Sequence, residues 1–296
     1  MNPLLDPAHL DRIKDLALLA RVAVEGNFFG LHRSRNSGRG IEFFQYRAYE
    51  PGEDIKSVDW KVFAKSGSLL SKTYQDSTNS NLIIVLDASA SMEYKSEDSV
   101  CSKFRYAQML ASCLIYLGHR QGDRVGFFGG SESFQEWMFP NGGNESFKNI
   151  LTHLAGMIPQ GSDMEDLYWD KFKSKLPKQA TVVIISDFLE NESKLSERLN
   201  FALSSRYQCL CLQILDPLEE TLPDAQAVRF MELEGKGEIS VSPEQIRIDY
   251  QDQVKKHIKK LNSILSGTGS EFHTLRTNMD LGQAIRNFLL MRRSLK

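Results

Sequence analysis

The sequence predicts an α/β fold in which a mostly parallel sheet is covered by helices on both faces. Wholly apolar runs rich in β-branched residues, at 82–86 and 181–185, are typical of strands that are buried on both sides. Segments whose apolar residues recur at helical spacing lie between these and the other strand-like runs. Such alternation favours parallel strands, because each helix returns the chain to the edge where the next strand begins.

The order of the elements follows from the spacing of apolar residues. Strands are predicted at 82–86, 124–128, 181–185, 208–215 and 270–276, with an edge strand at 134–139 and a hairpin at 228–241 that turns at 235–237. Helices are predicted at 8–26, 103–119, 145–157, 164–174, 191–205, 243–266 and 279–293. β-leaning segments near 41–49 and 68–76 come before the main alternation.

The pattern changes at residue 81, which predicts two parts. Residues 1–80 form an N-terminal helix and a β-rich extension, and residues 81–296 form the α/β domain. With 296 residues the chain is long enough for either one large domain with an appendage or two ordinary domains.

Charge and hydropathy exclude several classes of protein. The 36 basic and 38 acidic residues leave a formal net charge of -2, which gives no general attraction to nucleic acid or to an anionic membrane. Charged residues are spread among the leucines of 1–25, which predicts an amphipathic helix and no secretory signal. No apolar run approaches the ~20 residues that cross a bilayer. We therefore expect a soluble cytoplasmic protein without a membrane span.

The four cysteines predict no metal centre. Cys101, Cys113, Cys209 and Cys211 form no CxxC pair and have no histidine pair at ligand spacing beside them. Cys209 and Cys211 alternate in a predicted strand, so both point to one face of the sheet. We expect buried, reduced thiols.

Three groups of polar side chains lie where the predicted loops meet the sheet. They are Asp87, Ser89 and Ser91 after the strand 82–86, Ser162 with Asp163 before the helix at 164, and Asp187 after the strand 181–185. Ligands of such folds bind beyond the carboxyl ends of the strands, so we expect these groups to meet at one rim. Carboxylate and hydroxyl oxygens are the ligands that hard cations prefer, which predicts a metal site.

The spacing Asp87-x-Ser89-x-Ser91 after an apolar strand resembles the first loop of the metal-ion-dependent adhesion site of von Willebrand factor A domains. In that family the two serines bind the metal directly, the aspartate holds metal-bound waters, and an aspartate from a third loop does the same. The resemblance implies a von Willebrand factor A-like domain over 81–296. It also implies that Ser89 and Ser91 are direct ligands and that Asp87 and Asp187 act through water.

The second loop departs from that family's pattern. The family has a threonine where Ser162 stands, and serine keeps the hydroxyl that coordination needs. Asp163 is the alternative ligand from the same loop. The implied metal is Mg²⁺, with Mn²⁺ and Ca²⁺ as alternatives.

A second resemblance covers nearly the whole chain. It is similar to the bacterial MoxR-associated proteins known as domain of unknown function, family fifty-eight. The matching positions are Gly30, His32, Ser34, Gly38, Gly40, Glu42, Phe43, Arg47, Tyr49, Pro51, Gly52, Asp54, Asp59 and Trp60, then Asp216-Pro217-Leu218-Glu219 and Leu222-Pro223. Glu53 and Lys56 differ from the family's usual aspartate and arginine, and lysine cannot form an arginine's bidentate fork.

These resemblances imply a protein-binding module and not an enzyme. A cation that both aspartates contact only through water keeps much of its charge and an exchangeable position, which an acidic side chain of a partner can fill. The implied partner is a MoxR-type AAA+ ATPase with its client, in chaperone-like maturation of complexes. Two alternatives stay open: a metal-assisted hydrolase, and a structural module whose metal site is inactive. The hydrolase has little support from the sequence, because no histidine lies beside a recognisable nucleophile motif and there is no G-x-S-x-G elbow.

Overall fold

The computed structural model describes residues 6–31, 43–48, 70–74, 80–131, 134–162, 166–189, 192–224, 228–231 and 238–293. The chain divides into two compact units, one made of 1–32 with 80–296 and the other of 33–79. In the second unit, β1 (Phe43–Ala48) pairs with β2 (Leu70–Tyr74) in an antiparallel ladder, as the β-leaning segments predicted. Most of the family-like positions from 30 to 60 lie outside the described residues.

A six-stranded sheet forms the centre of the larger unit. Its strands are β3 (Asn81–Asp87), β4 (Arg124–Ser131), β5 (Phe134–Asn141), β6 (Ala180–Ser186), β7 (Tyr207–Leu215) and β10 (Glu271–Arg276). Their order is β10-β7-β6-β3-β4-β5, and all neighbours are parallel except the antiparallel β4–β5 pair at the edge. This arrangement confirms the predicted α/β class and the edge strand.

Helices connect these strands and cover both faces of the sheet. They are α1 (Pro7–Leu10), α2 (Leu16–Leu31), α3 (Lys103–Arg120), α4 (Asn144–Gly156), α5 (Asp166–Lys175), α6 (Glu192–Arg198), α7 (Pro217–Thr221), α8 (Pro243–Gly267) and α9 (Gly282–Arg293). The hairpin strands β8 (Val228–Met231) and β9 (Glu238–Val241) pair antiparallel as predicted, and the predicted turn at 235–237 lies outside the described residues.

The alternation of side chains along β3 divides the core into two layers. Leu82, Ile84 and Leu86 pack on the side of α3, with α1, α2, α4 and α9. Ile83 and Val85 pack on the opposite side, with α5, α6 and α8. Both faces of β3 are therefore apolar, which is why its sequence is an unbroken apolar run.

The N-terminal region differs from the prediction in two respects. The helix predicted at 8–26 is two helices, since Asp6 caps α1 and the carboxylate of Asp15 accepts hydrogen bonds from the first amides of α2. The second helix also continues past Gly26 to Leu31.

These helices group with residues 80–296 in the larger unit. The physical reason is their apolar face, since Leu19, Ala20 and Ala23 are fully buried in the core layer that contains α3. Polar contacts add to this packing: Arg105 on α3 binds Asp11, and Tyr116 binds Glu25.

Two further elements differ in detail from the sequence prediction. The helix predicted at 191–205 ends at Arg198 and is followed by a 3₁₀ turn at Asn200–Leu203. The short helix α7 was not predicted, because five residues are too few to show a periodic pattern. It begins at a capping box, in which the side chain of Asp216 accepts a hydrogen bond from the backbone amide of Glu219 and the side chain of Glu219 accepts one from the backbone amide of Asp216.

All four cysteines are buried free thiols, as predicted. The Sγ atoms of Cys209 and Cys211 lie 3.9 Å apart on one face of β7. Burial raises the pKa of the Cys101 and Cys113 thiols to about 12, so both are protonated at neutral pH.

Candidate functional site

The carboxyl ends of β3, β4 and β6 form the rim where the sequence predicts a metal site. Because these strands are adjacent and parallel, their ends meet at one edge of the sheet. Asp87 is the last residue of β3, and the loop that follows turns into a 3₁₀ segment at Ala90–Glu93. We call the surface formed by 87–91, 160–162 and 186–187 the three-loop rim.

Hydrogen bonds order the first loop of the three-loop rim. Asp87 is 8% exposed, and its Oδ1 atom accepts a bond of 2.9 Å from the backbone amide of Ser89. The hydroxyls of Ser89 and Ser91 lie 3.0 Å apart and share a hydrogen bond. The loop thus places one carboxylate and two hydroxyls together, as the D-x-S-x-S spacing predicts.

Two backbone hydrogen bonds fix the second loop against the first. The amide of Gln160 donates to Ala88 over 2.9 Å, and the amide of Ala90 donates to Gly161 over 2.8 Å. Gly161 has a φ of 73°, a left-handed conformation that favours glycine. Half-buried Ser162 follows directly, so its chain segment lies beside the serine loop. Asp163, the alternative ligand, lies outside the described residues.

The third loop contributes Ser186 and Asp187. The hydroxyl of Ser186 donates to Oδ2 of Asp87 over 2.7 Å, so the first and third loops are directly linked. Asp187 is 1% exposed and carries the next side chain along this loop. Phe188 then has a φ of 53°, which is rare for a bulky residue, and its amide donates to the Ser186 hydroxyl. This strained turn redirects the chain immediately after Asp187.

A glycine at the end of β4 supports the serine loop from the other side. The carbonyl of Gly130 accepts a hydrogen bond of 2.9 Å from the amide of Ala88. Gly130 has a φ of 150°, and a Cβ atom there would lie 2.2 Å from the carbonyl oxygen of Phe134. Only glycine permits this close approach of β4 and β5.

Sequence reasoning missed a buried lysine at the rim. The Nζ atom of Lys103, at the start of α3, lies 2.8 Å from Oδ2 of Asp187 and 2.6 Å from Oε1 of Glu219. The lysine side chain is 0% exposed and that of Asp187 is 2% exposed. A lysine is almost never buried without such partners. Asp187 is therefore held by an ammonium group, which a metal-site prediction from the sequence did not include.

Burial and charge change the protonation behaviour of these groups. Burial, together with the nearby charge of Asp187, raises the pKa of Asp87 to about 6. Burial alone lowers the pKa of Lys103, but the charges of Asp187 and Glu219 outweigh it, so the pKa of that ammonium is raised. Burial raises the pKa of Glu219 against the opposing effect of Lys103.

The donor set fits a hard divalent cation in its chemistry. Asp87 and Asp187 offer carboxylate oxygens and Ser89 and Ser91 offer hydroxyls, which are the ligand types that Mg²⁺ prefers. Within the described ranges, no group of three or more His, Cys, Asp or Glu side chains is arranged to hold a metal. A cation here would therefore depend on the serine hydroxyls and on water.

The sequence did not predict the contribution of Ser186 to the three-loop rim, nor that of Lys103 and Glu219 beside it. A lysine at the start of an amphipathic helix ordinarily faces solvent, so nothing local marks Lys103. Glu219 had one indication, since it ends the family-like run Asp216-Pro217-Leu218-Glu219. That run now has a structural reason: it forms the cap of α7 and supplies the second carboxylate to Lys103.

Comparison with known families agrees with the resemblance to domain of unknown function, family fifty-eight. The family model described as "Protein of unknown function DUF58" matches residues 45–260. The chain belongs to this family. One relative, the uncharacterized protein Rv1480 of Mycobacterium tuberculosis, is 26% identical over 294 residues, covering 97% of this chain and 91% of the relative.

The larger part of the chain is also similar to several solved structures. The conserved hypothetical protein BatB from Bacteroides thetaiotaomicron matches with a TM-score of 0.48 and 15% identity, over 72% of this chain and 99% of that one. A von Willebrand factor type A structure from Catenulispora acidiphila matches with a TM-score of 0.44 and 14% identity, over 74% and 43%. The strand order and the two helical layers described above by themselves place the larger unit in the α/β class.

No helix in the described ranges combines the length and apolar character that a bilayer span requires.

Proposed function

We propose that the chain is a non-enzymatic protein-binding module whose three-loop rim holds a divalent cation. Mg²⁺ is the expected ion, with Mn²⁺ and Ca²⁺ as alternatives. Ser89 and Ser91 would be direct ligands, Asp87 and Asp187 would act through water, and Ser162 would contribute the second-loop hydroxyl. An acidic side chain of the partner would fill the remaining position.

The balance of buried charge at the rim is the observation that carries this proposal. Among the described residues, the carboxylates of Asp187 and Glu219 both contact the ammonium of Lys103, and the buried carboxylate of Asp87 is close enough to Asp187 for the two charges to interact. When all four groups are ionised, two negative charges remain uncompensated in a largely dry environment, which is unfavourable. One divalent cation offsets them. The two nearby hydroxyls supply additional oxygens of the right kind.

The partner that family resemblance implies is a MoxR-type AAA+ ATPase with its client. We propose that the module joins the two in the cytoplasm during chaperone-like maturation of complexes. The support for this is family membership over residues 45–260 together with the chemistry of the rim. The test is co-purification from native cells under conditions of nucleotide and Mg²⁺ that preserve complexes. If such an ATPase is consistently absent from the purified complexes, the proposed partner is wrong, but the proposal of a cation site is not affected.

The experiment for the cation site measures partner binding with Mg²⁺, with chelator, and with an Asp87→Asn variant. Asn keeps the shape of the side chain and an acceptor for the Ser89 amide, but removes the charge. We expect binding with Mg²⁺ and a large loss in the other two conditions. Equal affinity in all three would refute the proposal.

One observation favours a second candidate function. The ammonium of Lys103 already lies beside the carboxylate of Asp187. An inactive site, in which an ammonium takes the place of the metal, would have the same arrangement. In that case the chain is a structural module, and Mg²⁺ neither binds nor changes its melting temperature. Calorimetric titration of the wild-type chain with Mg²⁺ separates the two candidates.

A further inference from the structure

Lys103 connects the three-loop rim to the capping box at the start of α7. Its ammonium contacts Oδ2 of Asp187 and Oε1 of Glu219, while the second oxygen of Glu219 accepts a bond of 2.8 Å from the amide of Asp216. Glu219 is thus held at the cap of α7, and it holds the lysine in turn.

Further contacts restrain this arrangement. The carboxylate of Asp216 accepts a bond of 3.0 Å from the amide of Ser96, and the hydroxyl of Tyr250 on α8 donates to the carbonyl of Glu219 over 2.7 Å. The lysine backbone is also fixed, because its amide donates to the carbonyl of Tyr94. The ammonium cannot move away from Asp187 without losing a buried hydrogen bond, and Glu219, its other partner, is itself held in place.

This geometry affects what Asp187 can offer a cation. One of its two carboxylate oxygens is committed to Lys103, and the other accepts a bond of 3.3 Å from the amide of Leu189. A fixed positive charge 2.8 Å from that carboxylate also repels a second cation nearby, and the low exposure of both groups limits screening by water and salt.

We propose that Lys103 is a positioning residue that keeps Asp187 from binding the cation directly and so weakens the rim's affinity for divalent cations. The inference rests on the proposed cation site and adds the determinant of its strength. Lys103 holds the carboxylate in an indirect role, so the cation binds weakly and keeps its charge for a partner. Removing the ammonium frees a carboxylate oxygen and removes a repulsive charge, so affinity for the metal rises.

The test compares Mn²⁺ binding, measured by calorimetry and by the EPR signal of the free ion, in four chains. They are the wild type, Glu219→Gln, the double variant Lys103→Met with Glu219→Gln, and Asp87→Asn. The double variant has the same net charge as the wild type. It also differs from the Glu219→Gln chain only at Lys103, and it leaves fewer unmatched buried charges than Lys103→Met alone. Near-ultraviolet circular dichroism verifies that each chain is folded.

We expect the double variant to bind Mn²⁺ about tenfold or more tightly than Glu219→Gln. The reason is that a unit positive charge beside a divalent cation, in a poorly screened site, weakens its binding by at least that factor. A purely structural role for Lys103 would give weaker binding, because the rim would loosen. If the double variant binds Mn²⁺ no more tightly than Glu219→Gln does, the inference is overturned. The proposed function is still supported in that case if the wild type binds Mn²⁺ and Asp87→Asn does not.

The two remaining outcomes are also decisive. If only the double variant binds, the lysine closes the rim and the inference holds, but the proposed function fails for the natural chain. If no chain binds Mn²⁺, the proposed cation site fails and the inference fails with it.

Discussion

The Nζ atom of Lys103 and the Oδ2 atom of Asp187 lie 2.8 Å apart, and their side chains are 0% and 2% exposed. Removing one member of a buried ion pair leaves an uncompensated charge, which costs more than the pair itself stabilises. We expect Lys103→Ala to lower the free energy of unfolding by about 3–5 kcal/mol in chelator, because both Asp187 and Glu219 lose their partner. Urea denaturation at neutral pH measures this.

The control for that prediction is Lys256→Ala. Lys256 forms an ion pair of 2.7 Å with Asp252, but both side chains are exposed. Exposed pairs contribute little, so we expect the free energy of unfolding to change far less than in Lys103→Ala. If the two substitutions destabilise the chain equally, the buried pair is not the stabilising contact that its geometry indicates.

Lys103 shows which features of this structure can be predicted from the sequence and which cannot. The strands and most helices were predicted because their apolar spacing is a local property. The position of Asp87 and the serines was predicted because a strand end fixes it. The burial of Lys103 depends on carboxylates that lie 84 and 116 residues further along the chain, and no local pattern records such contacts.

The break between α1 and α2 illustrates a second limit. Leu10, Ile13 and Leu16 continue one helical spacing through the break, so periodicity alone predicts a single helix. The capping carboxylates of Asp6 and Asp15 favour two separate starts. Arg105 of α3 then binds the connecting carbonyls, a tertiary contact that spacing does not show.

The pKa of Asp87 predicts a specific pH dependence. The folded pKa is about 6 against an ordinary value of 3.8, so the folded chain binds this proton more tightly than the unfolded chain does. The contribution of Asp87 to the free energy of unfolding is therefore most favourable below pH 4 and decreases as pH rises to about 6. In chelator, Asp87→Asn should remove this decrease and gain up to about 3 kcal/mol over wild type at pH 7.

Urea denaturation of both chains between pH 4 and 7 tests this dependence. Substituting exposed Asp98 by Asn is the control, and we expect its stability to follow that of wild type across the range. If the difference between Asp87→Asn and wild type is the same at pH 4 and pH 7, burial and the charge of Asp187 do not raise the pKa as described.

Gly130 predicts a steric effect at the edge of the three-loop rim. A Cβ atom at this position would lie 2.2 Å from the carbonyl oxygen of Phe134, and the φ of 150° is itself unfavourable for alanine. We expect Gly130→Ala to destabilise the chain by about 2–4 kcal/mol, within the range of strongly strained substitutions. It should also weaken cation binding, since the Gly130 carbonyl holds the Ala88 amide.

Gly142→Ala provides the matched control for Gly130. No atom lies within 4 Å of a Cβ atom placed there, so we expect a change within about 0.5 kcal/mol. Thermal melting and Mn²⁺ titration of both variants measure the two effects. Comparable melting temperatures for the two variants would show that β5 moves aside without cost.

Arg105 predicts how the first helix is held to the larger unit. Its Nε atom binds Oδ1 of Asp11 over 2.9 Å, and one terminal nitrogen binds the carbonyl of Ile13 over 2.9 Å and that of Asp11 over 3.4 Å. The guanidinium thus joins a carboxylate and two carbonyls that follow α1. We expect Arg105→Ala to cost about 1–2 kcal/mol and to accelerate hydrogen exchange in residues 7–13 selectively.

Arg105→Lys separates charge from shape in this contact. Lysine keeps the positive charge but has a single ammonium, which cannot reach Asp11 and both carbonyls in the arginine's geometry. We therefore expect Arg105→Lys to restore only part of the protection, while Arg206→Ala, at an exposed arginine, leaves exchange in residues 7–13 unchanged. Full protection in Arg105→Ala would mean that apolar packing, including that of buried Leu10 and Leu16, holds these residues against the core without the arginine.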